Sequence, residues 1–144
     1  MMVETKPPAD KLRQLDERLK RAGLRATRQR LELGRLLFRN GHRHVTAEQL
    51  YDESLAAGMQ VSLATVYNTL NQFSDAGLLR QVVLNASQTY YDTNMGNHYH
   101  FYLSRTQDLV DIDASKVEVR GLPKIPAGQK IASVDVMVRL EDDT

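Results

Sequence analysis

The sequence predicts an α+β chain, helical in its first half and strand-rich in its second. Three observations carry this. Up to Gly77 the apolar residues recur every three and four positions, and after it the runs shorten and begin to alternate. A glycine follows each of several helical runs, where a helix needs a left-handed stop. The first two strand-like runs are separated by Asn85-Ala86-Ser87, a short hairpin loop.

The elements follow in order. Asp10 is placed to cap a helix reaching about Ala22, with Leu12, Leu15 and Leu19 on its apolar side and Gly23 just past its end. Thr27 caps a second helix with Leu31, Leu33, Leu36, Leu37 and Phe38 as its apolar side, stopped by Asn40-Gly41. Thr46 starts a third, carrying Ala47, Leu50, Tyr51 and Leu55 and ended by Gly58. Ser62 starts a fourth, with Leu63, Val66, Leu70 and Phe73 spaced by three and four. Residues 78–84 and 88–92 read as two strands. Three helices, a recognition-type helix and a two-stranded wing are the order of a winged helix-turn-helix.

The expected organisation is therefore a flexible terminus over residues 1–9, a winged-helix DNA-binding domain over 10–93 and a hinge over 94–97. A small β-rich (α/β) dimerisation and effector-sensing domain follows over 98–144. In that last domain, residues 98–103, 107–112, 116–119 and 131–140 read as strands. Residues 121–128 hold two prolines and two glycines and cannot form a good helix. About 50 residues are too few for a comfortable independent core, so this sheet should complete itself in a homodimer. A palindromic DNA site shares that two-fold symmetry.

Charge and composition narrow the function. Residues 1–45 hold 12 Lys/Arg against 5 Asp/Glu, and the remainder holds 7 against 13, although the whole chain is only +1. A basic half of this kind fits an anionic partner, nucleic acid first. No apolar run approaches the ~18 residues of a membrane span, the first residues lack a signal-peptide core, and a cytoplasmic location is the default. Cysteine is absent, which excludes disulfides, thiolate metal sites and cysteine nucleophiles.

The fourth helix shows Ser62, Thr65, Asn68, Thr69 and Gln72 on a polar side adjoined by Tyr67, with no charge between Met59 and Ser74. Small hydroxyls, amides and an aromatic suit base edges and thymine methyls in a major groove. Phosphate contacts must come from elsewhere, and Lys20, Arg21, Arg25, Arg28 and Arg30 are clustered to supply them. Arg25 is also placed to enter a narrow A·T-rich minor groove. Set against this, Tyr67 as a core aromatic on a merely solvated helix is the plainer alternative.

The four histidines are His42, His44, His98 and His100. On a strand, period two places His98 and His100 on one face, where both imidazoles can reach one ion. Two surface histidines would be the ordinary interpretation, but Asp92 precedes the pair by six residues, and Asp111 and Asp113 lie on the strand expected beside it. Imidazole and carboxylate without thiolate suit Fe(II), Mn(II), Co(II) or Zn(II). His42 reads as a surface residue.

The chain resembles the ferric uptake regulator family. The resemblance rests on Gly23-Leu24-Arg25-Ala26-Thr27-Arg28-Gln29-Arg30, on His44-Val45-Thr46-Ala47-Glu48-Gln49-Leu50-Tyr51, on Val61-Ser62-Leu63-Ala64-Thr65-Val66-Tyr67-Asn68-Thr69-Leu70 and on Asn97-His98-Tyr99-His100, and covers about residues 11–140. It implies a dimeric, metal-responsive transcription regulator rather than an enzyme. It implies a regulatory metal site of His44, Asp92, His98, His100 and Asp111, with DNA contacts from Arg25 in the minor groove and Ser62, Thr65, Tyr67 and Asn68 in the major groove.

Two departures stand out. The positions of the family's first zinc-binding cysteine pair are Leu103 and Thr106, so no structural zinc held by four cysteines can form, and a Pro/Gly segment replaces the long helix of the dimerisation domain. Both are similar to the iron response regulator branch, repressors of iron-using and haem-synthesis genes that sense haem; His98 and His100 are then its axial-ligand candidates. The expectation is thus a repressor of iron and haem genes on A·T-rich inverted repeats, controlled by metal or haem at the hinge. The alternatives are a Mn(II)-, Fe(II)- or peroxide-responsive relative blind to haem, a 2-His-1-carboxylate oxygenase, and an architectural DNA binder without effector.

Overall fold

The structure, a computed structural model, describes residues 9–143. Residues 1–8 of the expected flexible terminus lie outside the described residues, as do the side chains of Asp10 and Leu12. The chain forms two compact units, dividing between Met95 and Gly96.

The first unit is helical with a small sheet. Its elements are α1 (Ala9–Arg21), α2 (Arg28–Phe38), β1 (His44–Val45), α3 (Ala47–Ala56), α4 (Leu63–Asp75), β2 (Arg80–Asn85) and β3 (Gln88–Asp92). Side-chain oxygens start three of the helices. Thr27 accepts from the Arg30 amide, Ser62 accepts from the Thr65 amide, and Thr46 forms a reciprocal capping box with Gln49. Between α3 and α4 the chain must reverse sharply. Gly58 does so at φ 79°, a left-handed conformation that costs glycine nothing, while the Met59 amide reaches back to the Ser54 carbonyl.

The helices converge on one core. Leu19, Leu33, Leu37, Leu50, Val66, Leu70 and Phe73 are fully buried, each worth roughly 1.5–3 kcal/mol relative to exposure. α1 and α2 pack closely because position 34 is glycine: a Cβ there would stand 3.1 Å from Leu15 Cδ2. β2 and β3 form the wing, with a register shift between Val83 and Asn85. The two-residue β1 is an element the sequence does not predict. It pairs antiparallel with β3, His44 opposite Asp92 and Val45 opposite Tyr91, giving the order β1-β3-β2.

The second unit is a three-stranded sheet of β4 (His98–Leu103), β5 (Asp108–Asp113) and β6 (Met137–Leu140), in the order β5-β4-β6. β4 pairs antiparallel with β5 and parallel with β6. Two expected strands are corrected here. Residues 116–119 do not form one: the Asp113 carboxylate accepts from the Ser115 amide at 2.9 Å and turns the chain into a 3₁₀ turn, Ala114–Lys116, beyond which no neighbouring strand is paired. The strand expected over 131–140 is confined to Met137–Leu140, which pair with residues 100–103 of β4. Residues 121–128 are non-helical, as their prolines and glycines require. No helix among the described residues is long and apolar enough to cross a membrane.

Candidate metal centre

Two sets of side chains able to ligate a metal ion are built, one in each unit. In the first unit, cross-strand register sets His44 of β1 against Asp92 of β3, with His44 Nε2 3.3 Å from Asp92 Oδ2. Asp92 is fully buried, and its other oxygen accepts from the Asn94 amide at 2.9 Å, which fixes the carboxylate. His44 is held through its neighbour. The Arg43 amide donates to Thr93 Oγ1 and the Thr93 amide to the Arg43 carbonyl. The Arg43 guanidinium grips Glu53 of α3 with two nitrogens and the Leu36 carbonyl at the end of α2. That carboxylate raises the Arg43 pKa above its ordinary value, chiefly through the hydrogen bond.

In the second unit the geometry is sharper. His98 and His100 project from one face of β4, their rings 4.7 Å apart and nearly perpendicular. Asp111 lies opposite His100 on β5. Both Nε2 atoms stand 3.6 Å from the same oxygen, Asp111 Oδ1. That is too long for a hydrogen bond. It is close to the roughly 3.4 Å edge of a tetrahedron of ligands at ~2.1 Å from an ion. His98 Nδ1 sits 2.7 Å from the Gly96 carbonyl. A carbonyl only accepts, so Nδ1 is the donor; in the neutral ring that tautomer leaves the lone pair on Nε2, the side that faces Asp111. His98 and His100 are nonetheless buried, an arrangement surface histidines do not need. Asp113, the other acid noted from sequence, faces a different task. It caps the 3₁₀ turn, and the Ser115 amide lowers its pKa. His42 is exposed, as expected.

The first unit also displays the polar helix. On α4, Ser62, Tyr67 and Asn68 are exposed and Thr65 half-exposed, whereas Thr69 is buried and donates to the Thr65 carbonyl. Thr69 therefore leaves the presented face. Tyr67 is no core aromatic: its hydroxyl donates to Glu48 Oε1 at 2.6 Å, and that bond pushes its pKa up to about 12. Arg25 and Arg28 are exposed, Arg28 beside Glu32 at 3.0 Å. Asn71 ties α4 to the wing, accepting from Gln81 of β2 and from Tyr91 of β3. Glu48, Asn94 and the Gly96 carbonyl are absent from the sequence-based site. Each acts through a contact that no local spacing announces.

Residues 21–139 match the model of the ferric uptake regulator family. The chain belongs to that family. It is 32% identical over 111 residues to the peroxide-responsive repressor PerR of Staphylococcus aureus, a match spanning 77% of this chain and 74% of the relative. Its fold is similar to a ferric uptake regulator from Pseudomonas aeruginosa with manganese, with TM-score 0.71 and 25% identity over 90% of this chain and 98% of that one. It is also similar to the Francisella tularensis regulator with iron, with TM-score 0.68 and 22% identity over 83% and 92%. The α+β architecture, winged helix then small β domain, is that of the family. Family members are dimeric, metal-responsive DNA-binding regulators rather than enzymes.

Proposed function

We propose that this protein is a cytoplasmic, homodimeric transcription repressor whose grip on DNA is set by one divalent ion held by His44, Asp92, His98, His100 and Asp111. The observation that carries the reading is the convergence of two buried Nε2 atoms on a single carboxylate oxygen, with the His98 tautomer fixed by the Gly96 carbonyl. Three imidazoles and two carboxylates without thiolate suit Fe(II), Mn(II) or Zn(II). Neither set fills a coordination sphere by itself: the first offers two ligands and the second three. His98 follows Asp92 by six positions, a reach of at most about 22 Å, so the chain permits the sets to meet.

A bound ion supplies a common acceptor for the five lone pairs. His44 and Asp92 belong to the unit that carries α4; His98, His100 and Asp111 belong to the sheet. Ligation by both sets therefore selects one angle between the units and one separation of the two recognition helices in a dimer. That preference is a coupling free energy with DNA affinity, typically ~1–3 kcal/mol. On the duplex, Arg25 enters the minor groove of an A·T-rich inverted repeat. Ser62, Thr65, Tyr67 and Asn68 meet base edges in the major groove, and Arg28 meets phosphate. The Tyr67 hydroxyl is already committed to Glu48, so its ring is what it offers, a surface suited to a thymine methyl.

The test is binding to an A·T-rich inverted repeat by the wild type and by His98→Ala/His100→Ala, with and without Mn(II), Fe(II) and haem. Metal should tighten wild-type binding by about 5–150-fold and leave the variant unmoved. Equal metal responses in both would reject the reading.

A second reading, control by haem in the manner of the iron response regulator branch, draws on the Leu103 and Thr106 positions, the lack of cysteine and the non-helical residues 117–136. His98 and His100 would be its axial ligands. The shared approach of both rings to Asp111 favours the ion. A haem Soret shift that the double variant loses would reverse that order.

A further inference from the structure

We infer that Arg30, rather than binding phosphate, is a positioning residue: its guanidinium locks the Arg25 loop to the recognition helix α4 through Gln72. The inference rests on the DNA-binding reading above and sharpens it. From sequence, Arg30 is one more cation in a basic cluster. In the structure, three guanidinium nitrogens are already engaged. Nε and one terminal nitrogen both donate to Gln72 Oε1, at 3.3 and 3.0 Å, and the other terminal nitrogen donates to the Arg25 carbonyl at 2.8 Å.

The partners are far apart in sequence and belong to the two elements that must read different grooves. Gln72 lies on the exposed side of α4, one turn beyond Asn68. Arg25 stands in the loop before α2, and its carbonyl also accepts from the Thr27 amide at 2.9 Å. Arg30 itself is fixed at the backbone, because its amide is the one that Thr27 caps. Arg30 and Gln72 thus line a cleft of about 230 Å³ between the start of α2 and α4, together with Thr27, Thr65 and Asn68.

A minor-groove side chain and a major-groove helix succeed together only if their separation matches the duplex. A planar fork whose Nε and one terminal nitrogen converge on Gln72 Oε1 while the other terminal nitrogen meets the Arg25 carbonyl fixes direction as well as distance, which a lysine ammonium cannot do. The Arg30 charge remains and strengthens the local positive field, but its geometry is spent inside the protein.

Lysine keeps the charge and a phosphate contact and loses the fork, so it separates the two roles. The full-length wild type, Arg30→Lys, Gln72→Ala, Arg30→Ala and the double variant Arg30→Ala/Gln72→Ala are titrated across a salt series against two duplexes. One is an A·T-rich inverted repeat selected by the wild type from random sequence, and the other is unrelated. For a positioning clamp, Arg30→Lys and Gln72→Ala each weaken selected-site binding on the order of tenfold. They leave the salt slope and the unrelated-duplex affinity unchanged, and the double variant loses no more than Arg30→Ala alone. The inference is overturned if Arg30→Lys binds like wild type, Gln72→Ala is neutral, and only Arg30→Ala loses affinity with a slope shallower by about one, the signature of a phosphate contact. Should Arg30→Ala fail to melt cooperatively, Arg30→Lys and Gln72→Ala still decide, since Gln72 is exposed on a helix that tolerates alanine. A wild type that selects no sequence removes the DNA-binding reading itself, a result distinct from a wild type that selects and variants that behave as phosphate mutants.

Discussion

The two units of this chain solve the problem of burial differently. The first closes a core at whose centre Leu19, Leu33, Leu37, Leu50, Val66, Leu70 and Phe73 keep no exposed surface. The second has no such centre. Its best-covered apolar side chains, Tyr102, Leu109 and Ile112, each retain 9% exposure, and His98 and His100 are buried at least as well. Val119, Leu122, Ile125, Ile131 and Val134 stay exposed in the long segment before β6. The most protected residues of the second unit thus include two imidazoles, whereas the first is organised around hydrocarbon.

The comparison can be broken or sharpened in four ways. The largest effect belongs to Phe73→Ala, which empties the centre of the helical core and should destabilise the first unit by about 3–5 kcal/mol. Urea unfolding followed by helical circular dichroism checks it, and a loss below about 1 kcal/mol would deny that this core carries the unit. Next comes the ion. Mn(II) at a hundred times its dissociation constant should stabilise the protein that holds it by about 2.7 kcal/mol, felt first in the strands that carry the ligands. Hydrogen exchange on β4 and β5 should slow, with α2 and α3 of the first unit moving less; uniform slowing would contradict the contrast. Thr46→Ala removes the capping box that starts α3 and should cost about 1 kcal/mol, read in the same urea experiment, with Thr46→Ser nearly neutral.

The smallest effect is spectroscopic. The Tyr67 phenol is raised to about 12, first by its hydrogen bond to Glu48, so it stays protonated well above the ordinary tyrosine range. A raised pKa means that this bond's contribution is complete below about 10, the unfolded value, and disappears as pH climbs through about 12. Glu48→Gln should bring the Tyr67 titration down toward the ordinary value, seen by ultraviolet difference against Tyr67→Phe. An unmoved midpoint would mean that Glu48 is not the cause.

The helices were legible because their information is local. Leu63, Val66, Leu70 and Phe73 declare a face by spacing, Thr27, Thr46 and Ser62 sit at their starts, and Gly58 and Gly77 mark stops. β1 was not legible: two residues long, it exists only because Asp92 and Tyr91 lie alongside, more than forty residues on. Residues 116–119 carry strand-like valines, yet a strand needs a neighbour and Asp113 turns the chain away from one. The pairing of His98 with His100 followed from period two; Asp111 was one of two acids on the strand expected alongside, told from Asp113 only by the family resemblance, and the antiparallel register that sets it opposite His100 came from the structure. His44 came only from the family resemblance, since nothing local distinguishes it from His42. Arg30 shows the opposite failure: its charge was plain, but its commitment to Gln72 depends on how α2 meets α4.

The contact that orients His98 comes from the Gly96 carbonyl, not from a side chain. Main-chain oxygen cannot be deleted by any point substitution, so the proton on this imidazole is insured against changes of letter. What it is not insured against is spacing. Inserting or removing a single residue between Gly96 and His98 would turn the ring away from its acceptor. Drift along this stretch should therefore tolerate new spellings and reject new lengths.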